Sequence, residues 1–198
     1  MDSIKKYREI DLIISEVKTD VVFKINGQTV PAIKAILELK SPVFRAMFSN
    51  NWMESNVKEI EIKNTTYEAF KCMVELLYTD CRSVNDKDVD LIHEVMKLTE
   101  RYQLIGLQEL IDLRLKIKVT MDILKKMSNI AYDYQLPQLI AKIKTFVAQN
   151  CFDIMCQSEE ELDQLNDTMS GQLFKVVLMK VIDNCKKGLY RKGIPPRD

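Results

Sequence analysis

The sequence predicts an α+β domain, a small β-sheet flanked by helices, followed by an all-α region. Three observations lead there. Val21, Val22, Phe23 and Ile25 form a β-branched and aromatic run that ends at Asn26-Gly27. Residues Val57 to Ile62 alternate apolar with charged side chains. From Thr120 onward the apolar residues recur only at helical spacing. Strand signals first and helix signals after are the order of an α+β chain.

Taken in order, Met1 to Val17 mixes charge with Ile10, Leu12, Ile13 and Ile14, and suits a short helix or an extended arm. Asn26 and Gly27 tolerate the positive φ angles of a type I′ turn, so Gln28 to Pro31 starts a return strand. Residues Ile33 to Leu39 then switch to helical spacing, with Ile33, Ile36 and Leu37 apolar. Ser41 caps a second helix and Pro42 sits where its missing N–H is harmless. Val43, Phe44, Met47 and Phe48 put an apolar stripe on that helix, which is too short to be stable unless it packs on another element or another chain. The pair carries more apolar surface than a small sheet can cover, so a two-fold pairing of identical chains is expected to bury the excess.

Val57 to Ile62 is read as a half-buried strand. Thr65 with Glu68 makes a capping box before a helix with Phe70, Met73, Val74 and Leu77 on one face, finishing near Tyr78. Asn85-Asp86 is expected to open the next helix, with Leu91, Ile92, Val95, Met96 and Leu98 inward, and another runs from about Leu104 to Val119. The helical half comprises Met121 to Tyr132, Pro137 through Val147, a helix begun by the capping box Ser158 and Glu161, and Gly171 to Cys185. The tail from Lys186 to Asp198 is expected to be loosely ordered.

Composition narrows the function classes. At 198 residues the chain can bury a core without disulfides or metals, and no cofactor is implied. Lysine plus arginine and aspartate plus glutamate both number 29, so no global field draws in nucleic acid, and protein partners become the default. Cys72, Cys81, Cys151, Cys156 and Cys185 are odd in number and form no Cys-x-x-Cys pair with the lone His93, the pattern of free thiols in a reducing compartment. No apolar run approaches a bilayer span, so a soluble intracellular protein is expected, with no membrane partner. His93 lies between Ile92 and Glu94 with no nucleophile elbow in sight, and five glycines leave none for a phosphate cradle. The acidic runs at Asp86-Asp88-Asp90 and Glu159-Glu160-Glu161 suit helix starts better than a calcium loop. No catalytic residue and no metal ligand is assigned, and an enzyme is not expected.

Trp52, Met53 and Glu54 follow the Phe48 helix among Asn50, Asn51, Ser55 and Asn56, poor company for a core tryptophan and good company for an exposed anchor.

Residues Asp20, Phe23, Ala32, Lys34, Ile36, Leu37, Ser41, Phe44, Met47 and Phe48 together resemble the BTB (POZ) domain. Ile33 stands where that family usually has histidine. The resemblance implies the BTB fold over residues 19–112, after an N-terminal arm over 1–18 that in dimeric relatives packs on the neighbouring subunit. Residues 113–185 resemble the BACK helical region that follows BTB domains in cullin adaptors, and 186–198 form the tail.

The resemblance further implies a homodimer with Ile33, Ile36, Leu37, Phe44 and Met47 at its interface, and a charged pocket lined by Asp20 and Lys34. In BTB proteins that bind cullin-3, a hydrophobic-x-Glu motif occupies the offset of Trp52 and Glu54, with Met53 and Phe48 beside it. The expected role is therefore a substrate-recruiting subunit of a cullin-3 RING ubiquitin ligase, cytoplasmic or nuclear, whose partners are the cullin-3 N-terminal domain and an unidentified protein substrate. A non-degradative scaffold or transcription-associated dimerisation module is the alternative. The segments Asn50 to Glu54 and Leu76 to Asp80 look most like the BTB proteins with an RCC-type propeller and the speckle-type family. No propeller, MATH domain or kelch repeat stands within these residues, which leaves open a fragment of a longer protein or recruitment through the helical half.

Overall fold

A computed structural model describes residues 19–49 and 58–155, together with Met179. The chain forms two compact units, one ending at Lys116 and the other starting at Ile117.

The first unit begins with the hairpin of β1 (Val21–Ile25) and β2 (Gln28–Ala32). Asn26 and Gly27 have φ of 48° and 82°, the paired left-handed angles of a type I′ turn. The strands run antiparallel with Phe23 opposite Val30. The chain then leaves through α1 (Lys34–Lys40) and α2 (Pro42–Phe48) and returns as β3 (Glu59–Glu61). β3 pairs with β1 in parallel, Ile60 beside Phe23, which gives the sheet order β2-β1-β3. A parallel neighbour requires a crossover, and the α1–α2 pair lies within it.

α3 (Tyr67–Tyr78) carries the largest share of buried residues. Its cap is Thr66, whose hydroxyl accepts from the Ala69 N–H at 3.2 Å, not the expected Thr65. Asn64, at φ 61°, uses one more residue in the turn and brings Thr66 to the extended conformation a cap needs. Asn85 and Asp86 do not open a helix. They lie in a 3-10 turn, Val84–Asp86, and α4 (Val89–Arg101) starts at Asp88, whose carboxylate accepts from the Leu91 N–H at 2.7 Å.

α5 (Ile105–Arg114) stops short of the expected Val119. Asn85 supplies the reason: its side-chain amide donates to the Arg114 carbonyl at 3.0 Å and accepts from the Lys116 N–H at 2.5 Å. One side chain thus takes up backbone groups that another helical turn would have paired, and the chain continues extended.

The core of this unit centres on Phe23. Its ring lies 4.9 Å from Phe70 and 5.8 Å from Phe44, and Phe44 stacks on Tyr102 at 4.4 Å and 7°. Sheet, crossover helices, α3 and the end of α4 meet in that cluster, which fixes where the crossover sits.

The second unit contains α6 (Met121–Asp133) and α7 (Pro137–Met155). α7 runs past the expected Val147 through a kink at Asn150, whose φ of −112° and ψ of 15° are not helical. Leu124, Met127, Ile130, Leu139, Ile143 and Val147 form its buried seam. The helices expected after Ser158 and from Gly171 to Cys185, the N-terminal arm and the tail all lie outside the described residues.

One turn conformation recurs in the two units. Tyr102-Gln103-Leu104 joins α4 to α5 and Tyr134-Gln135-Leu136 joins α6 to α7, with φ of 51° at Gln103 and 52° at Gln135. Leu104 N–H donates to the Thr99 carbonyl at 2.7 Å and Leu136 N–H to the Ala131 carbonyl at 2.8 Å. Each is a left-handed helix stop with a buried leucine behind it.

Candidate protein-docking surface

The surface is built on α1 and α2. α1 starts at Ile33, which has no side-chain acceptor to cap it. Two distant residues supply the acceptors: the Ile33 N–H donates to Tyr78 Oη at 2.8 Å and the Lys34 N–H to Asp20 Oδ1 at 2.8 Å. Burial raises the Tyr78 phenol above its usual range, with nearby Asp20 adding to the effect and the Ile33 hydrogen bond opposing it. The phenol therefore stays neutral while it accepts.

α2 is held at its start. Ser41 Oγ accepts from the Phe44 N–H at 3.0 Å and donates to the Tyr102 carbonyl at 2.5 Å, wholly buried. The exposed side is tied as well: Arg45 Nε and Nη2 both donate to the Glu38 carbonyl, at 3.2 and 3.0 Å. The pair is a clamped hairpin of helices, with its side chains in fixed places.

The expected interface residues divide on this hairpin. Leu37 and Phe44 are fully buried in the chain's own core, where they offer nothing to a partner. Ile33 is almost buried, and Ile36 and Met47 are half-exposed. Leu39, which is not among the expected interface residues, is 73 % exposed, and Val43 on α2 is half-exposed. Its signal was present in the sequence, an apolar residue two places after the buried Leu37, but helical spacing alone does not say which face is covered. Phe48 is buried, in contact with the Phe23 cluster, and the Lys34 ammonium stands 5.3 Å over its ring. The expected Asp20 and Lys34 pair thus meets through the Lys34 backbone N–H, while the ammonium lies over the Phe48 ring. Trp52, Met53 and Glu54 lie outside the described residues.

Cys72 and Cys81 are free and buried, their thiols pushed up to about 11 and about 12, first by burial, with Lys87 and Arg114 respectively pulling back. Such thiols are poor nucleophiles. Among the described residues no group of three or more His, Cys, Asp or Glu side chains could hold a metal, and no helix is long and apolar enough to cross a membrane.

Comparison with known proteins agrees with this architecture. The BTB/POZ domain family matches residues 14–118, a span that contains the sheet, the clamped hairpin and the α4–α5 pair. A BTB/POZ domain-containing protein of Arabidopsis thaliana is 27% identical over 178 residues, covering 88% of this chain and 52% of that protein. BTB/POZ and MATH domain-containing protein 3 of the same plant is 31% identical over 147 residues, 70% of this chain and 36% of the relative. Human Kelch-like protein 24 is 28% identical over 155 residues, 78% of this chain and 25% of the relative. The chain therefore spans about half of the first of these proteins and less of the others. With a match across more than half of its length, and with the hairpin, crossover and helical pair in place, the chain belongs to the BTB/POZ domain family, whose domain is a protein-interaction module.

Proposed function

We propose that this protein is a homodimeric adaptor that recruits another protein to a cullin-3 RING ubiquitin ligase. The observation that carries the proposal is the clamped α1–α2 hairpin. Its inward residues, Leu37, Phe44 and Phe48, bind it to the core, and its outward residues, Leu39, Ile36, Val43 and Met47, are apolar. A rigid helix pair that keeps large aliphatic side chains in water is the kind of surface that a partner covers. Dimerisation draws on Leu39, Ile36 and Met47, and cullin docking on Trp52 and Glu54, a large indole and a carboxylate two positions on. Relatives named for MATH and Kelch-like modules support the adaptor role.

The decisive experiment is a titration of the full chain against the purified cullin-3 N-terminal domain, with light scattering of the chain alone at micromolar concentration. Binding by a dimer supports the adaptor. A dimer that ignores cullin-3 leaves the non-degradative scaffold, and a 23.1 kDa species alone removes both dimeric readings.

A further inference from the structure

Asn26-Gly27 is the chain's only Asn-Gly pair, and it forms the tip of the β1–β2 hairpin. Asparagine followed by glycine is chemically labile in an open chain, because no side chain shields the glycine nitrogen from the asparagine amide carbon. Both residues are exposed to water, and a Cβ placed on Gly27 would meet nothing within 4 Å. The Asn26 amide is held by a long hydrogen bond, from Nδ2 to the Thr65 carbonyl at 3.5 Å, which restrains it weakly. Solvent and side-chain freedom thus leave the amide open to attack. The backbone does not. In the type I′ turn Asn26 is left-handed, with φ of 48°, the conformation in which Cβ lies beside the residue's own carbonyl oxygen. The Gly27 nitrogen occupies the other side of that planar carbonyl carbon and so stands away from the Asn26 side chain. A five-membered ring between the two cannot close until the turn opens, and the ladder that ends at the Ile25–Gln28 pair keeps it shut.

We infer that Asn26-Gly27 is a latent self-modification site, guarded by the closed hairpin and released when the hairpin opens. In the open chain the Gly27 nitrogen gives up its proton and bonds to Asn26 Cγ, the Cγ–Nδ2 bond breaks, and ammonia leaves. Water then adds to one of the two carbonyls of the cyclic imide and breaks its bond to nitrogen. Opening at Cγ gives aspartate with the original peptide link, and opening at the backbone carbonyl gives isoaspartate, with the chain rerouted through Cγ. Water is the only co-reactant. Isoaspartate lengthens the backbone by one carbon atom, which a two-residue loop in fixed register cannot absorb. Aspartate keeps the length but replaces the Nδ2 donor with a carboxylate oxygen that faces the Thr65 carbonyl. Either product works against re-closing, so a chain that has once opened is marked. The site lies apart from the α1–α2 surface, and its chemistry stands whether or not the protein recruits a partner to cullin-3.

The test incubates the full chain at mildly alkaline pH, once folded and once in urea. Peptide mapping by mass spectrometry follows residue 26, and methyl transfer by an isoaspartyl methyltransferase counts the rerouted product. Asn26 is expected to deamidate in urea and to react at least about tenfold more slowly in the folded chain, because the reaction waits on local opening. Asn26→Gln, whose longer side chain disfavours the ring, is expected to lose the signal in urea, which assigns the reaction to this residue. The isoaspartate chain, separated from its parent and returned to native buffer, is expected to melt several degrees lower. Equal rates in the two conditions, an Asn26 that stays intact in urea, or an isoaspartate chain that melts like its parent would each overturn the inference.

Discussion

Ser41 and Tyr102, 61 positions apart, are joined by a buried hydrogen bond of 2.5 Å from the serine hydroxyl to the tyrosine carbonyl. The same hydroxyl caps α2 by accepting from Phe44 N–H, so one oxygen both starts the helix and pins it to the α4–α5 turn. Ser41→Ala removes both bonds and leaves a carbonyl without its partner in the interior. The expected loss is about 2–3 kcal/mol, the sum of a helix cap and an unsatisfied buried acceptor. Urea unfolding of the variant measures it, and a loss below about 0.5 kcal/mol, the scatter of ordinary surface changes, would show that the joint does not hold the hairpin.

Phe44 and Leu39 separate the two faces of that hairpin. Phe44→Ala empties a position in the aromatic cluster and is expected to destabilise the fold by about 3–5 kcal/mol. Leu39→Glu is expected to leave stability within about 0.5 kcal/mol and to weaken self-association, since the side chain stands in water in the single chain. Paired calorimetry and light scattering read the two effects. A Leu39→Glu protein that melts far lower yet still dimerises would reverse the assignment.

Tyr78→Phe keeps the ring and deletes the acceptor for the Ile33 N–H. The expected cost is about 1–2 kcal/mol, less than for a fully buried group because the bond is only partly buried. Hydrogen exchange should quicken first at the Ile33 and Lys34 amides, the start of α1. Unchanged exchange at those two amides would mean that Asp20 alone secures the helix.

Stability should fall at alkaline pH. The thiols of Cys72 and Cys81 are raised in the folded chain from 9.0 to about 11 and about 12. Their contribution is therefore present below pH 9 and is lost as pH rises from 9 through those values, where the unfolded chain has released protons that the folded chain keeps. Each thiol adds a slope on the order of 1.4 kcal/mol per pH unit within its window. Cys81→Ala should flatten the fall between pH 9 and pH 11, measured by chemical unfolding at fixed pH. At neutral pH neither a reductant nor a chelator should move the melting temperature, because neither a disulfide nor a metal is inferred. A marked drop with either would refute that reading of the cysteines.

Trp52→Ala should weaken binding to the cullin-3 N-terminal domain by about 2 kcal/mol or more with little loss of stability, the behaviour of an exposed interfacial anchor. A core tryptophan would instead cost the fold roughly 3–5 kcal/mol on truncation. Glu54→Ala checks the same site independently, since an exposed carboxylate adds little to folding but can make a charge-assisted contact with a partner. Two variants that fold normally and bind cullin-3 at full strength would remove the adaptor and leave the scaffold.

What the sequence determined by itself is what a few neighbouring residues decide. Asn26-Gly27 dictates a type I′ turn because only such residues accept two positive φ angles in succession. Ser41-Pro42 starts a helix because a short hydroxyl accepts from the N–H three residues on and proline needs no partner there. The alternation before Ile62 is a strand because the pleat has a period of two.

Only the tertiary structure decided what depends on contacts between distant residues. α5 ends at Arg114 because Asn85, far back in the chain, takes its carbonyl, and no local pattern marks that stop. α1 begins at an isoleucine because Asp20 and Tyr78 cap it from other elements. Thr66 displaces Thr65 as a cap by the single residue that Asn64 consumes in its turn. Leu37 and Leu39 are equally apolar and equally helical, yet one is in the core and the other in water. Periodicity gives a helix its faces, but the neighbours that fold against it choose which face is buried, and that choice leaves Leu39 in water.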